Sequence, residues 1–165
     1  MRSQAEATQA LNPAVASDAT EDFLTFTISG QLFGIPVLKV QDVLSSYRIT
    51  RIPLAPPEIM GSLNLRGRVV TAIDMRARLG LAPRPNGSES MSIVAENDGE
   101  LYSLVVDSVG EVLALSSSTF ERNPPTLDPM VRAFSDGVYR LDEHLLVVLD
   151  VNRLLDYGRS QAALS

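Results

Sequence analysis

The sequence contains no cysteine. Disulfides, thiolate zinc sites and cysteine nucleophiles are therefore excluded. The longest purely aliphatic run, residues 145–149, is far shorter than the stretch of about 20 apolar residues that spans a bilayer. The N-terminal residues also lack the continuous apolar core of a signal peptide. These absences predict a soluble, unexported protein of the cytoplasm.

Residues that could support catalysis are equally scarce. The single histidine, His144, follows two acids in a polar turn, where a lone histidine is usually solvated. The serines at 116–118 have neither a G-x-S-x-G elbow nor a positioned base. No phosphate-binding G-x-x-x-x-G-K loop and no calcium-type carboxylate spacing occurs. We therefore expect that the protein is not an enzyme and that it holds neither a metal nor a cofactor. The enzymatic alternative is a hydrolase that combines His144 with a nearby serine.

Charge is present but uneven along the 165 residues, whose formal net charge is −6. Six arginines and only two acids lie between residues 48 and 78, whereas residues 89–158 are strongly acidic. Such asymmetry suggests two faces for two partners. The basic segment lacks the interleaved aromatic residues that single-strand binders use, and the negative net charge repels phosphates. We expect no nucleic acid partner, and keep nucleic-acid or ligand binding at the 48–78 surface as an alternative.

Hydrophobic periodicity favours strands over helices. Leu24, Phe26 and Ile28 alternate with threonines, and a Ser29-Gly30 turn precedes a return strand. Many short strands with Gly and Pro turns predict an all-β protein, either a barrel or a sandwich. Capping-box spacing from Ser118 to Glu121 predicts one helical turn, and residues 151–157 predict a short amphipathic helix.

Two pairs of segments recur along the chain. Residues 32–44 match residues 101–113, and residues 69–80 resemble residues 145–156, with Asp74 matching Asp150. A repeat of this kind predicts two related β modules packed together. We place them at approximately 21–81 and 90–157, joined by a polar linker, and leave open whether they share strands. Residues 1–20 and 159–165 are expected to be tails.

The segment Asn64-Leu65-Arg66-Gly67 precedes a β-branched run. The Asn64 side chain can bond its own backbone and Gly67 can take a positive φ, so the four residues predict a tight turn with Arg66 at its tip. Asp42 and Glu58 are the local carboxylates that could pair with Arg66. Because an exposed pair adds only about 0–1 kcal/mol to stability, its value would lie in recognition by a partner protein.

Seven blocks of sequence, in this order and spacing, resemble the CheW-like family of bacterial chemotaxis coupling proteins. They are FLTF (23–26), FGIPVLKVQDV (33–43), RIP (51–53), GSLNLRG (61–67), IDMR (73–76), VVDSVGEV (105–112) and LLVVLD (145–150). Asp42 stands where the family often has Glu, and Ser62 where Val is usual, which suggests a divergent member. The resemblance implies a domain over 21–158 built of two packed SH3-like five-stranded β barrels with a few short helices.

The resemblance also implies a function. CheW-like proteins are non-catalytic adaptors that couple the cytoplasmic tip of chemoreceptors to the regulatory domain of the histidine kinase CheA, and further CheW-like modules can join the same rings. The protein would then be cytoplasmic and recruited to membrane-associated receptor arrays without inserting into the membrane. An adaptor of a different chemosensory pathway is the alternative.

The resemblance assigns roles to five residues. Val40, Asp42 and Arg66 would face the receptor, with Asp42 and Arg66 as an ion pair. Gly61 and Gly67 would shape the backbone near the kinase contact. We expect Arg66→Glu to leave the fold intact while weakening receptor docking.

Overall fold

The computed structural model describes residues 19–156, which form eleven strands and three single-turn helices. The strands are β1 (Thr20–Ile28), β2 (Gln31–Pro36), β3 (Val40–Leu44), β4 (Ile59–Leu65), β5 (Arg68–Asp74), β6 (Met91–Asn97), β7 (Glu100–Val106), β8 (Ser108–Ser116), β9 (Phe120–Glu121), β10 (Ser135–Arg140) and β11 (Leu145–Leu149). The helices are α1 (Met75–Arg78), α2 (Pro129–Arg132) and α3 (Val151–Leu154). The predicted all-β class is confirmed. None of the helices in this part of the chain is long and apolar enough to cross a membrane.

The strands form two sheets. Sheet one has the order β8-β1-β2-β11-β10-β9, and sheet two has the order β3-β6-β7-β5-β4. The sheets do not coincide with the expected modules at 21–81 and 90–157, because each half of the chain contributes strands to both. Hairpin β1–β2 pairs with strands of the second half, through a parallel β2–β11 contact and an antiparallel β1–β8 contact. Strand alternation predicts which face is buried but not which strand is the partner.

The internal repeat is confirmed by the order of the strands. Leaving aside the two-residue β9, sheet one repeats the pattern of sheet two, with β8, β1, β2, β11 and β10 in the places of β3, β6, β7, β5 and β4. The parallel pair β2–β11 corresponds to the parallel pair β5–β7. Asp74 and Asp150 end matching strands, and each caps a helical turn through its side-chain oxygen. The two halves of the chain have therefore exchanged their first hairpins: β1–β2 lies in sheet one with strands of the second half, and β6–β7 lies in sheet two with strands of the first half.

The buried apolar residues form three clusters. The largest contains fully buried residues of both sheets, including Phe26, Phe33, Ile35, Leu104 and Leu149, and so joins them. A second cluster lies within sheet two and a third within sheet one. Alternate side chains of a strand point to opposite faces and so pack into different clusters. This explains why β7 is buried along nearly its whole length.

Three hairpins use the same two-residue turn. Ser29-Gly30, Arg66-Gly67 and Asp98-Gly99 all have positive φ at both positions, between 51° and 84°. Positive φ at both central residues is the geometry of a type I′ turn, which matches the twist of the flanking strands. Small polar residues are suited to the first position, and Arg66 is the exception. The predicted tight turn at residues 64–67 is therefore confirmed.

The helical prediction at Ser118 is wrong in position. The structure has a 3-10 turn over Ser117–Thr119, and the Ser116 side chain accepts from the Ser118 backbone. Glu121 belongs instead to β9 and pairs with Arg140. The predicted C-terminal helix forms over Val151–Leu154. Most of the N-terminal tail, the end of the 21–158 domain from residue 157 onward and the C-terminal tail lie outside the described residues, while Thr20 already belongs to β1.

Candidate docking site

An ion pair joins the two edges of sheet two. Asp42 lies on β3, and Arg66 follows β4 in the β4–β5 turn; β3 and β4 are the first and last strands of the sheet. Arg66 Nη2 lies 3.0 Å from Asp42 Oδ2. We call this pair the edge clasp. Of the two predicted partners for Arg66, the structure selects Asp42, because Glu58 lies beside Arg78 at 3.9 Å.

The two members of the edge clasp differ in exposure. The Arg66 side chain is 76% exposed, whereas that of Asp42 is 24% exposed. Asp42 Oδ1 accepts from the Val43 backbone at 2.8 Å, and Oδ2 is buried without a hydrogen bond from any residue in 19–156. The approach of Arg66 is therefore an electrostatic contact whose angle is poor for hydrogen bonding. Because the Arg66 guanidinium remains mostly in water, solvent screens the pair, and it adds only about 0–1 kcal/mol to stability.

A bulge in β3 separates Val40 from Asp42. The pairing with β6 shifts register between these two residues, and a bulge re-aims the side chains that follow it. Val40 is half-buried and packs against the largest apolar cluster. Val40 thus lies on the same short strand as Asp42 of the edge clasp, but only part of the Val40 side chain reaches the surface.

Gly61 permits a second contact at the edge of sheet two, between the segment after β3 and strand β4. Its φ is +149°, and a Cβ there would lie 2.1 Å from the Thr50 carbonyl oxygen. The close approach allows Thr50 and Ser62 to exchange two backbone hydrogen bonds of 2.7 and 2.8 Å. The segment after β3 therefore covers the edge of β4 only because residue 61 has no side chain.

Gly67 has a different requirement. Its φ is +84°, but a Cβ there would meet nothing within 4 Å. Its backbone N–H donates to Asn64 Oδ1 at 3.0 Å, which secures the turn. Gly67 is thus needed for its backbone conformation, whereas Gly61 is needed for space.

Gly137 is a structural counterpart of Gly61 that the sequence analysis missed. Its φ is +157°, and a Cβ there would lie 2.4 Å from Phe120 Cζ and 2.5 Å from the Glu121 carbonyl oxygen. The same shift along the chain that takes Asp74 to Asp150 takes Gly61 to Gly137. Applying the internal repeat to Gly61 would therefore have identified Gly137 from the sequence.

A charge cluster around Asp107 was also missed. Arg76 donates to both carboxylate oxygens of Asp107, with Nε–Oδ1 at 3.1 Å and Nη2–Oδ2 at 2.7 Å. Arg84 Nη2 donates to Oδ1 at 2.9 Å, and the Ser29 backbone donates to Oδ2 at 2.7 Å. Asp107 lies where the chain passes from β7 in sheet two to β8 in sheet one. The cluster therefore ties this crossover to α1, to the linker and to the β1–β2 turn.

The pKa of Asp107 reflects these contacts. Burial is the largest single influence and raises the pKa, but the hydrogen bonds from Arg76, Ser29 and Arg84 together outweigh it and lower the pKa to about 2. The carboxylate is thus ionised throughout the physiological range. Its two arginines are mostly buried, so the cluster holds elements in place and does not present charge to a ligand.

A groove lies beside the edge clasp. It encloses about 480 Å³ between the segment after β3 and the β4–β5 hairpin, and its lining includes Tyr47, Leu65 and the exposed Val69. Further along the same segment, Leu54 is fully exposed with a φ of +62°. Exposed apolar side chains next to a charged rim are typical of a protein-binding surface.

The other predicted features contribute less to a site. Arg76 and Arg78 of the basic segment are mostly buried and paired with acids, so they cannot contact phosphates. His144 is exposed, and its carbonyl accepts from the Leu141 backbone in a turn. No group of three metal-ligating side chains occurs within residues 19–156.

Comparison with known proteins gives a consistent family match. The model of the CheW-like domain matches residues 22–159. The chain is 30% identical to the chemotaxis protein CheW of Klebsiella aerogenes over 135 residues, which cover 82% of this chain and 81% of that protein. It is also 30% identical to the chemotaxis protein CheW of Bacillus subtilis over 144 residues, 87% of this chain and 92% of that protein.

A solved structure agrees with the fold. The crystal structure of the scaffolding protein TtCheW from Thermoanaerobacter tengcongensis superposes with a TM-score of 0.75 at 29% sequence identity. The superposition covers 84% of this chain and 94% of that chain. The arrangement of two packed sheets is thus shared with a protein of this kind.

Proposed function

Because the chain belongs to the CheW-like family of chemotaxis scaffold proteins, we propose that it couples chemoreceptors to the histidine kinase CheA without catalysing a reaction. It works in the cytoplasm and is held at membrane-associated receptor arrays through its partners. In this role it binds the cytoplasmic tip of a receptor and the regulatory domain of CheA, and other CheW-like modules are further neighbours in the array.

The edge clasp is the observation that carries the receptor-binding part of the proposal. Arg66 is exposed at a hairpin tip, yet its position is fixed by Asp42 and by the tight turn. A fixed guanidinium loses less conformational entropy on binding than a free one. Arg66 has donors beyond the nitrogen that faces Asp42, and these remain available to carbonyl or carboxylate groups of a receptor. Val40 lies on the same edge strand as Asp42 and supports the same surface.

The kinase-binding part rests on the way sheet two is closed. Gly61 allows the segment after β3 to lie against β4, and this places the apolar residues of that segment at the surface. Gly67 keeps the neighbouring hairpin tight. An apolar surface beside a charged rim supplies the core and rim that protein interfaces require. In this proposal both glycines act by shaping backbone, and neither contacts the kinase through a side chain.

The test is co-sedimentation of the full chain with a chemoreceptor cytoplasmic fragment and the matching CheA. We expect the kinase to be recruited and its receptor-dependent activity to appear only when this protein is added. Arg66→Glu should weaken receptor binding by at least about tenfold, since a fixed charge at the interface is reversed. Arg140→Glu is the matched control, because it breaks an exposed ion pair in sheet one.

The outcomes separate the possibilities. Loss of receptor binding with Arg66→Glu alone, at an unchanged melting temperature, supports the edge clasp as a docking element. An equal loss of receptor binding with Arg140→Glu would show that the change in net charge weakens binding wherever it is made. Failure of the unmodified chain to bind either partner would overturn the coupling role.

A further inference from the structure

The linker between the two halves of the chain contains an Asn-Gly pair. Asn86 is followed by Gly87, and no other asparagine of the sequence precedes a glycine. Both residues are exposed, and residues 79–90 belong to no strand or helix. The pair is therefore accessible to water and lies apart from the edge clasp and from the groove beside it.

A β-turn presents the pair to solvent. The Ser88 backbone donates to the Pro85 carbonyl oxygen at 3.2 Å, and the Ser88 hydroxyl donates to the same oxygen at 2.7 Å. Gly87 has a φ of +81° while that of Asn86 is not positive, which indicates a type II turn. A Cβ at Gly87 would meet nothing within 4 Å, so the space beside the glycine is open.

The Gly87 nitrogen can reach the side chain that precedes it. Within residues 19–156 its N–H donates to no group, and the Asn86 amide makes no hydrogen bond. Glycine has no Cβ that would shield the nitrogen. The attack on the Asn86 side chain requires the peptide between these residues to rotate out of the type II geometry. This rotation breaks only the contacts of Ser88 and disturbs neither sheet, so it is a local opening of low cost.

The other asparagines of the described residues are held or blocked. Asn64 accepts a hydrogen bond of 3.0 Å from a backbone N–H of its own turn. Asn97 is buried, and Asn152 lies within α3. Asn123 precedes a proline, which has no N–H to react. Asn86 thus differs from them both in its neighbour and in its freedom to move.

We propose that Asn86 is a site of spontaneous deamidation in the folded chain. The deprotonated Gly87 nitrogen attacks Asn86 Cγ; a bond forms between these atoms, and the Cγ–Nδ2 bond breaks with loss of ammonia to leave a succinimide ring. Water then opens the ring. Opening at Cγ gives aspartate, and opening at the main-chain carbonyl gives isoaspartate, in which the main chain runs through Cγ. Either product carries a negative charge that asparagine lacks.

The modified chain should remain folded. The linker is anchored before the pair by Arg76 Nη1, which donates to the Ala82 carbonyl at 3.0 Å, and by Arg84, which donates to Asp107 at 2.9 Å. The halves are also joined by the pairing of β1–β2 with strands of the second half. The extra main-chain atom of isoaspartate removes the turn at residues 85–88 and leaves the sheets intact. Modified molecules therefore accumulate in the folded state.

The test is ageing of the full chain at neutral pH, followed by tandem mass spectrometry. A mass gain of about 1 Da should appear on Asn86 and on none of the other asparagines within residues 19–156. A protein isoaspartate methyltransferase should label the aged chain, which identifies isoaspartate. Because the attacking nitrogen is deprotonated, the rate should rise with pH, by up to about tenfold per unit above neutrality.

Variants assign the label. Asn86→Gln should lower the labelling about tenfold or more, because the longer side chain must close a larger ring. Asn152→Gln, an exposed position in α3, is the matched control and should not change it. The Asp-Gly pairs at 98–99 and 136–137 can form the same ring with loss of water. Labelling that persists in Asn86→Gln would therefore assign the reaction to them and overturn the proposal.

A chain unfolded in urea checks the role of the turn. Deamidation of Asn86 in urea but not in the folded chain would show that the turn protects the side chain, and the proposal would be wrong. Asn86→Asp supplies the charge of the product and should melt within a few degrees of the unmodified chain; a large loss would show that modified molecules do not accumulate. Because Asn86 lies outside the edge clasp and the groove, deamidation and the coupling role can fail independently.

Discussion

At the scale of single residues, Arg66 combines an unfavourable backbone with a fixed and exposed side chain. A non-glycine residue at a φ of 51° costs about 1 kcal/mol or more. The corresponding turn positions in the other two hairpins hold serine and aspartate, which tolerate this conformation better. An arginine in this conformation fits the binding role proposed for Arg66 better than a role in folding.

Arg66→Asn should separate binding from stability. Asparagine favours the left-handed conformation, which offsets the loss of an exposed ion pair worth about 0–1 kcal/mol. We expect the melting temperature to stay within a few degrees of that of the unmodified chain, while receptor co-sedimentation falls, though less than in Arg66→Glu, because the charge is removed and not reversed. A large loss of thermal stability would instead assign Arg66 to the fold.

The two charge clusters differ in how far the sequence could predict them. Arg66 stands on a recognisable turn motif, so its exposure and a short list of partners followed from the residues themselves. Asp107 lies far along the chain from Arg76, and nothing in periodicity or composition pairs them. Their contact exists because the crossover and α1 meet in space, and only the tertiary fold determines that.

At the scale of elements, the bulged strands β4 and β10 each depend on a glycine that admits a neighbouring segment. Each strand shifts register at this point, between Ile59 and Gly61 and between Ser135 and Gly137. The bulge bends the strand, and the missing side chain lets the next segment close the sheet. The two sites are equivalent in the repeat, so they should respond alike to substitution.

Gly61→Ala should destabilise the protein by about 2–4 kcal/mol, since the added methyl group would overlap the Thr50 carbonyl and the backbone would have to shift. Gly67→Asn is the matched control, because its surroundings are open and asparagine accepts positive φ; it should cost less than about 1 kcal/mol. Urea unfolding measures both, and equal losses would contradict the steric explanation.

The Asp107 cluster should make stability depend on pH at the acid end. The pKa of Asp107 is about 2 in the folded chain, against 3.8 for the unperturbed group. A lowered pKa means that its stabilisation is fully present above about pH 4 and is lost as the pH falls toward 2, a total of about 2 kcal/mol.

We therefore expect the difference in unfolding free energy between the unmodified chain and Asp107→Asn to be constant from pH 7 to pH 5 and to shrink between pH 4 and pH 2. Asp136→Asn, which removes an exposed partner of Arg153, should show only a small difference at every pH. A difference for Asp107→Asn that does not change with pH would mean that the charge of the carboxylate is unimportant.

At the scale of the whole molecule, the two halves of the chain are mutually dependent. Each sheet takes a hairpin from one half and its remaining main strands from the other. The sequence predicted the repeat and most of the strands, because alternation and matching segments are local features. It could not predict the exchange, because the β1–β2 hairpin has the same pattern whichever sheet it joins.

Residues 1–86 and residues 87–165, prepared as separate polypeptides, should each lack a cooperative unfolding transition. Mixing them should restore one, because only together do they complete both sheets and the largest apolar cluster. Circular dichroism during a thermal scan measures this. Cooperative unfolding of either half alone would show that the exchange is not required for folding.

The exchange of hairpins also sets the order of events during synthesis. Strands β1 and β2 leave the ribosome first, but β2 cannot pair with β11 until almost the last residues have been added. At the usual rate of elongation this delay lasts roughly ten seconds or more, during which sheet one is incomplete and Phe26, Phe33 and Ile35 lack part of their packing. The nascent chain thus carries an incompletely packed apolar hairpin until β11 has been made, and we expect it to be a client of ribosome-associated chaperones.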